Sequence, residues 1–142
     1  MTETAIYGST LPNAENYRDK WKAMRLGFRK KCPSCGEGEL FTGYVKCVDS
    51  CSSCGEEMHH QRADDFPAYL CIFIVGHTLI PLFVALYALT DINMWVQMAF
   101  FLPFTVLATL WLLPRVKGAV IALQWALKMH GFGGHGDEEI EI

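Results

Sequence analysis

The chain has 142 residues, a formal net charge of −3, 51% hydrophobic residues and 19% charged residues. This length gives room for one domain, which excludes a multidomain enzyme, and the acidic balance argues against a protein that mainly coats nucleic acid. The charges are segregated: residues 1–67 hold nine of the twelve Lys and Arg, whereas residues 68–114 hold a single charge, Asp91. Such segregation is typical of a membrane protein rather than of a soluble domain.

The N-terminal part of the chain is polar and then basic. Residues 1–20 are predicted to be a polar extension. Residues 21–31, WKAMRLGFRKK, place Trp21, Met24 and Phe28 at helical spacing among five basic residues. This pattern predicts either a basic amphipathic segment on the surface of an anionic leaflet or a solvated basic linker whose charges fix orientation.

Two C-x-x-C-G motifs, CPSCG and CSSCG, are separated by 15 residues, a spacing typical of zinc sites. Each motif can present two thiolates to one ion, and its glycine permits the positive φ that turns backbone N–H groups toward sulfur. Four thiolates saturate zinc, so we predict a structural zinc ion, with iron as the alternative ion. Two disulfides are a further alternative, which a reducing cytoplasm disfavours. The predicted ligands are Cys32, Cys35, Cys51 and Cys54.

The segment between the motifs includes ELFTGYVK, whose aromatic and β-branched content is typical of short strands. We therefore expect residues 32–57 to fold as a zinc ribbon of short β-hairpins, in which the metal supplies folding energy that so small a segment cannot gain from a hydrophobic core. Two cysteines are surplus. Cys47 is either a spare ligand or redox thiol, or a small residue of the hairpin, and Cys71 is expected to behave as a small hydrophobic residue.

Ionisable residues are dense in the juxtamembrane segment, residues 58–67. Histidine together with carboxylate could bind a second metal ion or take part in proton movement. The alternative is an interfacial network in which the arginine pairs with one of the aspartates and caps the following helix. The spacing does not decide between these interpretations. The residues concerned are His59, His60, Arg62, Asp64 and Asp65.

Two long segments without formal charge follow. Residues 68–90 would extend about 34 Å as a helix and residues 94–113 about 30 Å, at about 1.5 Å per residue, which matches a bilayer core of about 30 Å. Only three residues connect them, so we predict an antiparallel transmembrane hairpin. The alternative, a buried hairpin of a soluble protein, is disfavoured because the rest of the chain is too small to cover it.

The hairpin's orientation follows from its flanking charges. No Lys or Arg lies in the turn at residues 91–93, so both termini are expected on the cytoplasmic side. A symmetric fold about Ile92 would place Gly76 opposite Ala108 as a small-residue contact, and His77 near the membrane midplane. An ionisable group at that depth is a candidate functional residue. The alternative is a neutral imidazole hydrogen-bonded to a nearby threonine or to a backbone carbonyl freed by Pro81.

The C-terminal part contains a further amphipathic pattern. Residues 115–132 carry Lys117, Gln124 and Lys128 on one narrow face and apolar residues elsewhere. We predict a helix that lies in the membrane interface, because the segment is short for a third span and both of its ends bear cations. Residues 133–142 are predicted to be a flexible acidic tail.

Four stretches of the chain resemble domain-of-unknown-function family 983, a group of small membrane proteins typical of alphaproteobacteria. The stretches are CPSCGEGELFTGYVK, CSSCG, HQRADDFPAYLCIFIVGH and VKGAVIALQWALKMHGF. The resemblance spans about residues 25–132, and Cys47 is not part of the pattern. It implies a location in the bacterial inner membrane. The family has no established activity, but its members are commonly encoded beside cytochrome c oxidase subunits and assembly factors, which implies a respiratory setting.

Two classes of function are compatible with these features. The first is a non-enzymatic accessory or assembly factor for a respiratory complex such as cytochrome c oxidase, whose ribbon docks on oxidase subunits or assembly factors and whose hairpin contacts lipid and partner helices. The second is metal or electron handling, with iron in the four-cysteine cage or copper passed through Cys71, His77 and the juxtamembrane histidines. We expect no nucleic-acid partner, because the ribbon is acidic. Without a Ser/His/Asp set, P-loop or G-x-G-x-x-G motif, we also expect no enzyme and identify no small-molecule substrate.

Overall fold

The computed structural model describes residues 18–63 and 65–132. Three helices occur in these residues: α1 (Lys20–Phe28), α2 (Phe66–Leu89) and α3 (Met94–Ala126). The cysteine-rich segment lies between α1 and α2. Most of the predicted polar extension, all of the predicted acidic tail and Asp64 lie outside the described residues.

Helices α2 and α3 are long and apolar enough to cross a membrane. In their most apolar stretches only 11% of α2 and 6% of α3 is buried inside the protein. A core hairpin of a soluble protein would instead be mostly buried, and apolar surface of this extent is not left in contact with water. The two membrane-type helices predicted from the sequence are therefore present.

The α2–α3 hairpin is antiparallel and is held together near its turn. The Asn93 side chain accepts a hydrogen bond from the Trp95 backbone N–H at 2.9 Å, which caps the start of α3. Buried Gln97 donates from Nε2 to the Phe83 carbonyl across the hairpin at 2.9 Å. The rings of Phe83 and Phe101 meet edge to face with centroids 5.2 Å apart. These two residues are equidistant from Ile92, so the register agrees with a symmetric hairpin.

The predicted small-residue contact at Gly76 is wrong. A Cβ atom placed on Gly76 would meet only the Ile80 Cδ1 atom of its own helix, at 4.0 Å. An open apolar groove of about 470 Å³ lies between α2 and α3 at this depth. The aromatic pair Phe83–Phe101 and the buried Gln97 set the helix separation near the turn, and no close approach occurs at Gly76.

The separate interfacial helix predicted for residues 115–132 is also wrong. Helix α3 continues without a break from the apolar span through Pro114 to Ala126, and turns follow to Phe132. Most apolar residues of this extension are buried against the rest of the protein. They are Val116, Gly118, Val120, Ile121, Ala122, Trp125 and Ala126.

A hydrogen bond from the cysteine-rich segment explains how α3 tolerates Pro114. Proline has no N–H, so the carbonyl four residues earlier, that of Leu110, loses its donor within the helix. The Tyr44 hydroxyl donates to this carbonyl from the loop between the two cysteine motifs. The contact satisfies the freed carbonyl and attaches the ribbon to α3.

Helix α1 packs on the extension of α3 through glycine. The Asp19 side chain caps α1 by accepting hydrogen bonds from the N–H groups of Trp21 and Lys22 at 3.0 and 3.2 Å. The buried face of α1 includes Gly27, and a Cβ on either Gly27 or Gly118 would overlap the backbone carbonyl of the other. The basic segment predicted for residues 21–31 is thus mainly a short helix with one face on the protein.

The ribbon segment contains no strand within the described residues, so the predicted β-hairpins are not confirmed. Its backbone pairing consists of three isolated antiparallel bridges: Lys31 with Glu39, Phe41 with Cys47, and Ser50 with Glu57. Each bridge closes a tight loop, and the chain between bridges is too short for a ladder. Side chains rather than sheet pairing hold the segment together, since Leu40, Met58 and Cys32 are almost fully buried with Ile121 of α3.

Candidate metal centre

The first cysteine motif forms a tight turn that points two sulfurs to one side. The Gly36 N–H donates to the Cys32 carbonyl at 2.9 Å, and the Cys32 N–H donates to the Gly38 carbonyl at 2.8 Å. Gly36 has a φ of +74°, which a residue with a side chain adopts only with strain. The glycine that follows the motif therefore has the conformational role expected from the sequence.

The second motif repeats this geometry. The Gly55 N–H donates to the Cys51 carbonyl at 2.9 Å, and the Cys51 N–H donates to the Glu56 carbonyl at 2.9 Å. Gly55 has a φ of +75°. The Ser53 N–H also approaches the Cys51 sulfur at 3.4 Å, as expected of a turn that surrounds a thiolate with backbone donors. The two turns are equivalent halves of one site.

The four predicted ligands converge on one point. The sulfur atoms of Cys32 and Cys54 are 3.8 Å apart, as are those of Cys35 and Cys51, and all four sulfurs lie within 4.8 Å of one another. With zinc–sulfur bonds of about 2.3 Å, the edge of a tetrahedron is about 3.8 Å. All four cysteines are free. The arrangement fits a four-thiolate metal ion such as zinc and does not fit two disulfides.

Burial and hydrogen bonding act in opposite directions on the thiols. Backbone N–H groups of Gly38 and Glu37 lower the pKa of Cys35 to about 6. Burial raises the pKa of Cys32 to about 12, so this thiol would stay protonated at neutral pH without a cation. A divalent ion offsets the cost of deprotonating the buried thiol. The donor set is therefore suited to a bound cation.

The site is closed in coordination but lies at the protein surface. Cys32 and Cys51 are buried on the side of the core, whereas Cys35 and Cys54 are exposed. Four thiolates leave no position for water or substrate, which is the arrangement of structural zinc. The same cage accepts iron in chemical terms.

Neither surplus cysteine belongs to this site. Cys47 is half-buried and packs at the margin of the core, and burial raises its pKa to about 11. Cys71 is almost fully buried near the start of α2, within the same core. The expectation that Cys71 acts as a small hydrophobic residue agrees with this position.

The predicted juxtamembrane cluster does not form one site in the described residues. His59 and His60 lie with their rings 4.0 Å apart, and they approach Glu57 rather than Arg62 or Asp65. Asp65 stands at the start of α2, where its side chain makes no capping hydrogen bond. The position of Asp64 lies outside the described residues.

Arg62 and His77 make different contacts from those considered in the sequence. The side chain of Gln124 bonds both ways to the Arg62 backbone, donating to its carbonyl at 2.9 Å and accepting from its N–H at 3.2 Å. His77 points away from the hairpin: it is exposed, hydrogen-bonds from Nδ1 to the Phe73 carbonyl of its own helix at 2.9 Å, and stacks on the Phe73 ring. The structure thus brings His77 to no threonine of α3.

One further group, which was not predicted from the sequence, connects the second cysteine motif to the first described residue and to the last turn of α3. The guanidinium of Arg18 lies 4.1 Å from the centroid of the Trp125 ring and donates to the Trp125 carbonyl at 2.7 Å. Glu56, next to the second cysteine motif, accepts from Trp125 Nε1 at 2.8 Å and lies 3.8 Å from Arg18. The only sequence signal was Trp125 itself, because a buried indole N–H requires an acceptor.

One comparison with known proteins identifies a family. The family model described as "Protein of unknown function (DUF983)" matches residues 41–125. This range contains the second cysteine motif, α2 and nearly all of α3, and it begins after Cys32 and Cys35. No curated protein and no solved structure gives a significant match. Because the match covers more than half of the chain, the protein belongs to the DUF983 family.

Proposed function

We propose that the protein is a non-enzymatic accessory or assembly factor for a respiratory membrane complex, with the four-cysteine ribbon as its docking module. One observation carries the proposal: α3 is a single helix that extends from the apolar hairpin into the core of the ribbon. A partner bound to the ribbon would therefore have a fixed position relative to the hairpin.

Specific contacts support a rigid ribbon. The Tyr44 hydroxyl bonds to the Leu110 carbonyl on the side of the hairpin. At the other end, Glu56 joins Trp125 and Arg18. Attachment at two separated points restrains rotation of the ribbon about α3, as a docking module requires.

The chemistry of the centre favours docking over catalysis. Four cysteines fill the coordination of zinc and leave no position for a substrate. A rigid closed site and an apolar hairpin serve an accessory role without further reactive groups. The respiratory setting of the proposal comes from the family resemblance.

We place the hairpin in the bacterial inner membrane with both termini in the cytoplasm. The Arg115 guanidinium lies 4.0 Å from the centroid of the Trp111 ring, a pairing suited to the cytoplasmic interface. A membrane-impermeant thiol reagent should label Asp91→Cys from the periplasm and should not label Lys22→Cys in intact cells whose outer membrane is permeabilised. The reverse pattern would refute this orientation.

The experiment that tests the function combines purification with deletion. A tagged protein in mild detergent should copurify with oxidase subunits or their assembly factors. Deletion should lower the amount of assembled oxidase without changing the turnover of the complexes that remain. Normal oxidase abundance together with no copurifying respiratory component would refute the proposal.

Electron handling is the second candidate, because Cys35 and Cys54 are exposed. Exposed ligands would bring an iron ion close to an electron-transfer partner. The visible spectrum of the purified protein separates the two candidates, since an iron–thiolate centre is coloured and a zinc centre is not. The copper route gains no support, because the hydrogen bond and the ring contact of His77 are both to Phe73 of its own helix.

A further inference from the structure

We propose that Glu57, His59 and His60 form a second metal site, which is open to solvent and takes a divalent transition ion such as Ni²⁺, Zn²⁺ or Co²⁺. Each of the three side chains offers one ligand atom, and these atoms all lie within 4.8 Å of one another. Two imidazoles with one carboxylate suit this class of ion. The site shares no ligand with the four-cysteine centre and is independent of the docking role.

The distances are close to those of a coordination shell. His60 Nε2 and Glu57 Oε2 are 3.2 Å apart, and the two imidazole rings are tilted by 38° with centroids 4.0 Å apart. With metal–ligand bonds of about 2.0 to 2.1 Å, neighbouring donors of a tetrahedral ion are about 3.4 Å apart. The pair Glu57–His60 is close to this separation, and rotation of exposed side chains can bring the third donor in.

The backbone that carries the three ligands is fixed. Met58, between Glu57 and His59, is fully buried. Its N–H donates to the Asp49 carbonyl at 2.8 Å, and the His59 N–H donates to the same carbonyl at 3.2 Å. Glu57 is also paired with Ser50 through a backbone bridge. Because the ribbon fixes this backbone, little main-chain ordering is needed when an ion binds.

The turn after α3 positions the His60 ring. Phe132 meets the ring edge-on with centroids 5.8 Å apart. Gly131 has a φ of +90°, and a Cβ at this position would stand 2.9 Å from His60 Nδ1. The glycine therefore lets the backbone approach the Nδ1 side of the ring, while Nε2 is directed to Glu57.

The site differs from the four-cysteine centre in its access. Three protein ligands leave at least one coordination position for water. A cavity of about 340 Å³ adjoins Glu57, His60 and Cys54, and Glu57 and His59 are exposed. We therefore expect an exchangeable ion here, beside a retained ion at the cysteines.

The test counts metal on the full-length protein, purified in detergent with a tag that contains no histidine. After dialysis against a mild chelator, the protein should retain one equivalent of metal at the cysteines. Titration with Ni²⁺ in a calorimeter should then show one further equivalent. The variants His59→Ala, His60→Ala and Glu57→Gln should each weaken this second binding at least tenfold.

Matched variants and a folding control make the result decisive. His77→Ala removes a histidine outside the site and Glu37→Gln removes an exposed carboxylate of the ribbon, and both should bind the second ion as the parent does. Retention of one equivalent of metal at the cysteines shows that a variant is folded. Glu57→Gln keeps the shape of the side chain, so its effect on binding reports the loss of the carboxylate alone. The proposal is overturned if the parent protein binds no second equivalent, or if His59→Ala and His60→Ala bind it unchanged.

Discussion

Replacing Tyr44 by phenylalanine should weaken the attachment of the ribbon to α3. The Tyr44 hydroxyl bonds to the Leu110 carbonyl, which has no helical donor because the residue four positions later is Pro114. The variant Tyr44→Phe keeps the ring and removes only this donor. The carbonyl is then left without a partner at the edge of the apolar span.

The expected magnitude follows from the loss of a partner by one carbonyl. A net hydrogen bond contributes about 1 kcal/mol, and a carbonyl left without a partner in apolar surroundings, here the edge of the apolar span, costs about 1 to 3 kcal/mol. We expect a loss of about 1 to 2 kcal/mol in the free energy of unfolding, a factor of about 5 to 30 in the unfolding equilibrium. For a chain of this size the midpoint of thermal unfolding should fall by roughly 3 °C per kcal/mol.

A double-mutant cycle with Pro114→Ala isolates this interaction. Alanine at this position restores an N–H that can donate to Leu110, so Tyr44→Phe should then cost only a few tenths of a kcal/mol. The assay is thermal unfolding in detergent of the parent, both single variants and the double variant. If Tyr44→Phe lowers the midpoint equally in both backgrounds, the hydroxyl does not serve the carbonyl freed by proline, and the reasoning is wrong.

Three further predictions concern the glycine contact, the metal ligands and Cys47. Gly118→Ala should destabilise the protein by about 1 to 3 kcal/mol, because its Cβ would overlap the Gly27 carbonyl. Gly76→Ala is the control, because a Cβ on Gly76 has open space. Equal midpoints of thermal unfolding for the two variants would contradict the packing of Gly118 on Gly27. Cys35→Ser should lose the bound metal and unfold the ribbon while the hairpin stays inserted, as measured by metal analysis and membrane fractionation, and stoichiometric metal in the variant would refute its role as a ligand. Burial raises the pKa of Cys47 to about 11, so its thiol is protonated at neutral pH. The rate of Cys47 alkylation, measured by mass spectrometry on the metal-bound protein, should therefore rise about tenfold per pH unit between pH 7 and 10. An alkylation rate that does not change with pH would be inconsistent with the raised pKa.

Local patterns predicted the features whose causes are local. A C-x-x-C-G motif holds two cysteines and the required glycine within five residues, so the sequence alone identified the four cysteines whose sulfurs lie within 4.8 Å of one another. The spans were equally predictable, because length and lack of charge determine whether a helix can cross a bilayer. The predicted starts lie within two residues of the observed starts at Phe66 and Met94.

The errors arise where distant residues decide the local structure. The uncharged segment predicted a second span that ends at residue 113, but α3 continues through Pro114, and Tyr44, 66 residues away from Leu110, bonds to the carbonyl that proline frees. Likewise the backbone of Arg62 is held by Gln124, 62 residues away. No periodicity or spacing in the sequence encodes such pairs.

The direction of His77 illustrates a different limit. A helix that is apolar on all sides has no distinct polar face, so its sequence does not indicate which side meets the other helix and which meets lipid. The structure directs His77 outward, to a carbonyl of its own helix. Tertiary packing also decides that the two histidines approach Glu57 rather than Arg62. The turn that carries Glu57, His59 and His60 is fixed by the burial of Met58 in the core.

X-ray absorption at the zinc edge, on chelator-washed full-length protein, tests the metal centre most directly. The sulfur distances of 3.8 Å predict a first shell of four sulfurs at about 2.3 Å from the ion, with no nitrogen or oxygen. A protein that retains zinc in a mixed shell of sulfur and lighter atoms, or that retains no metal and has its four cysteines in disulfides, would contradict the closed centre on which the docking role depends.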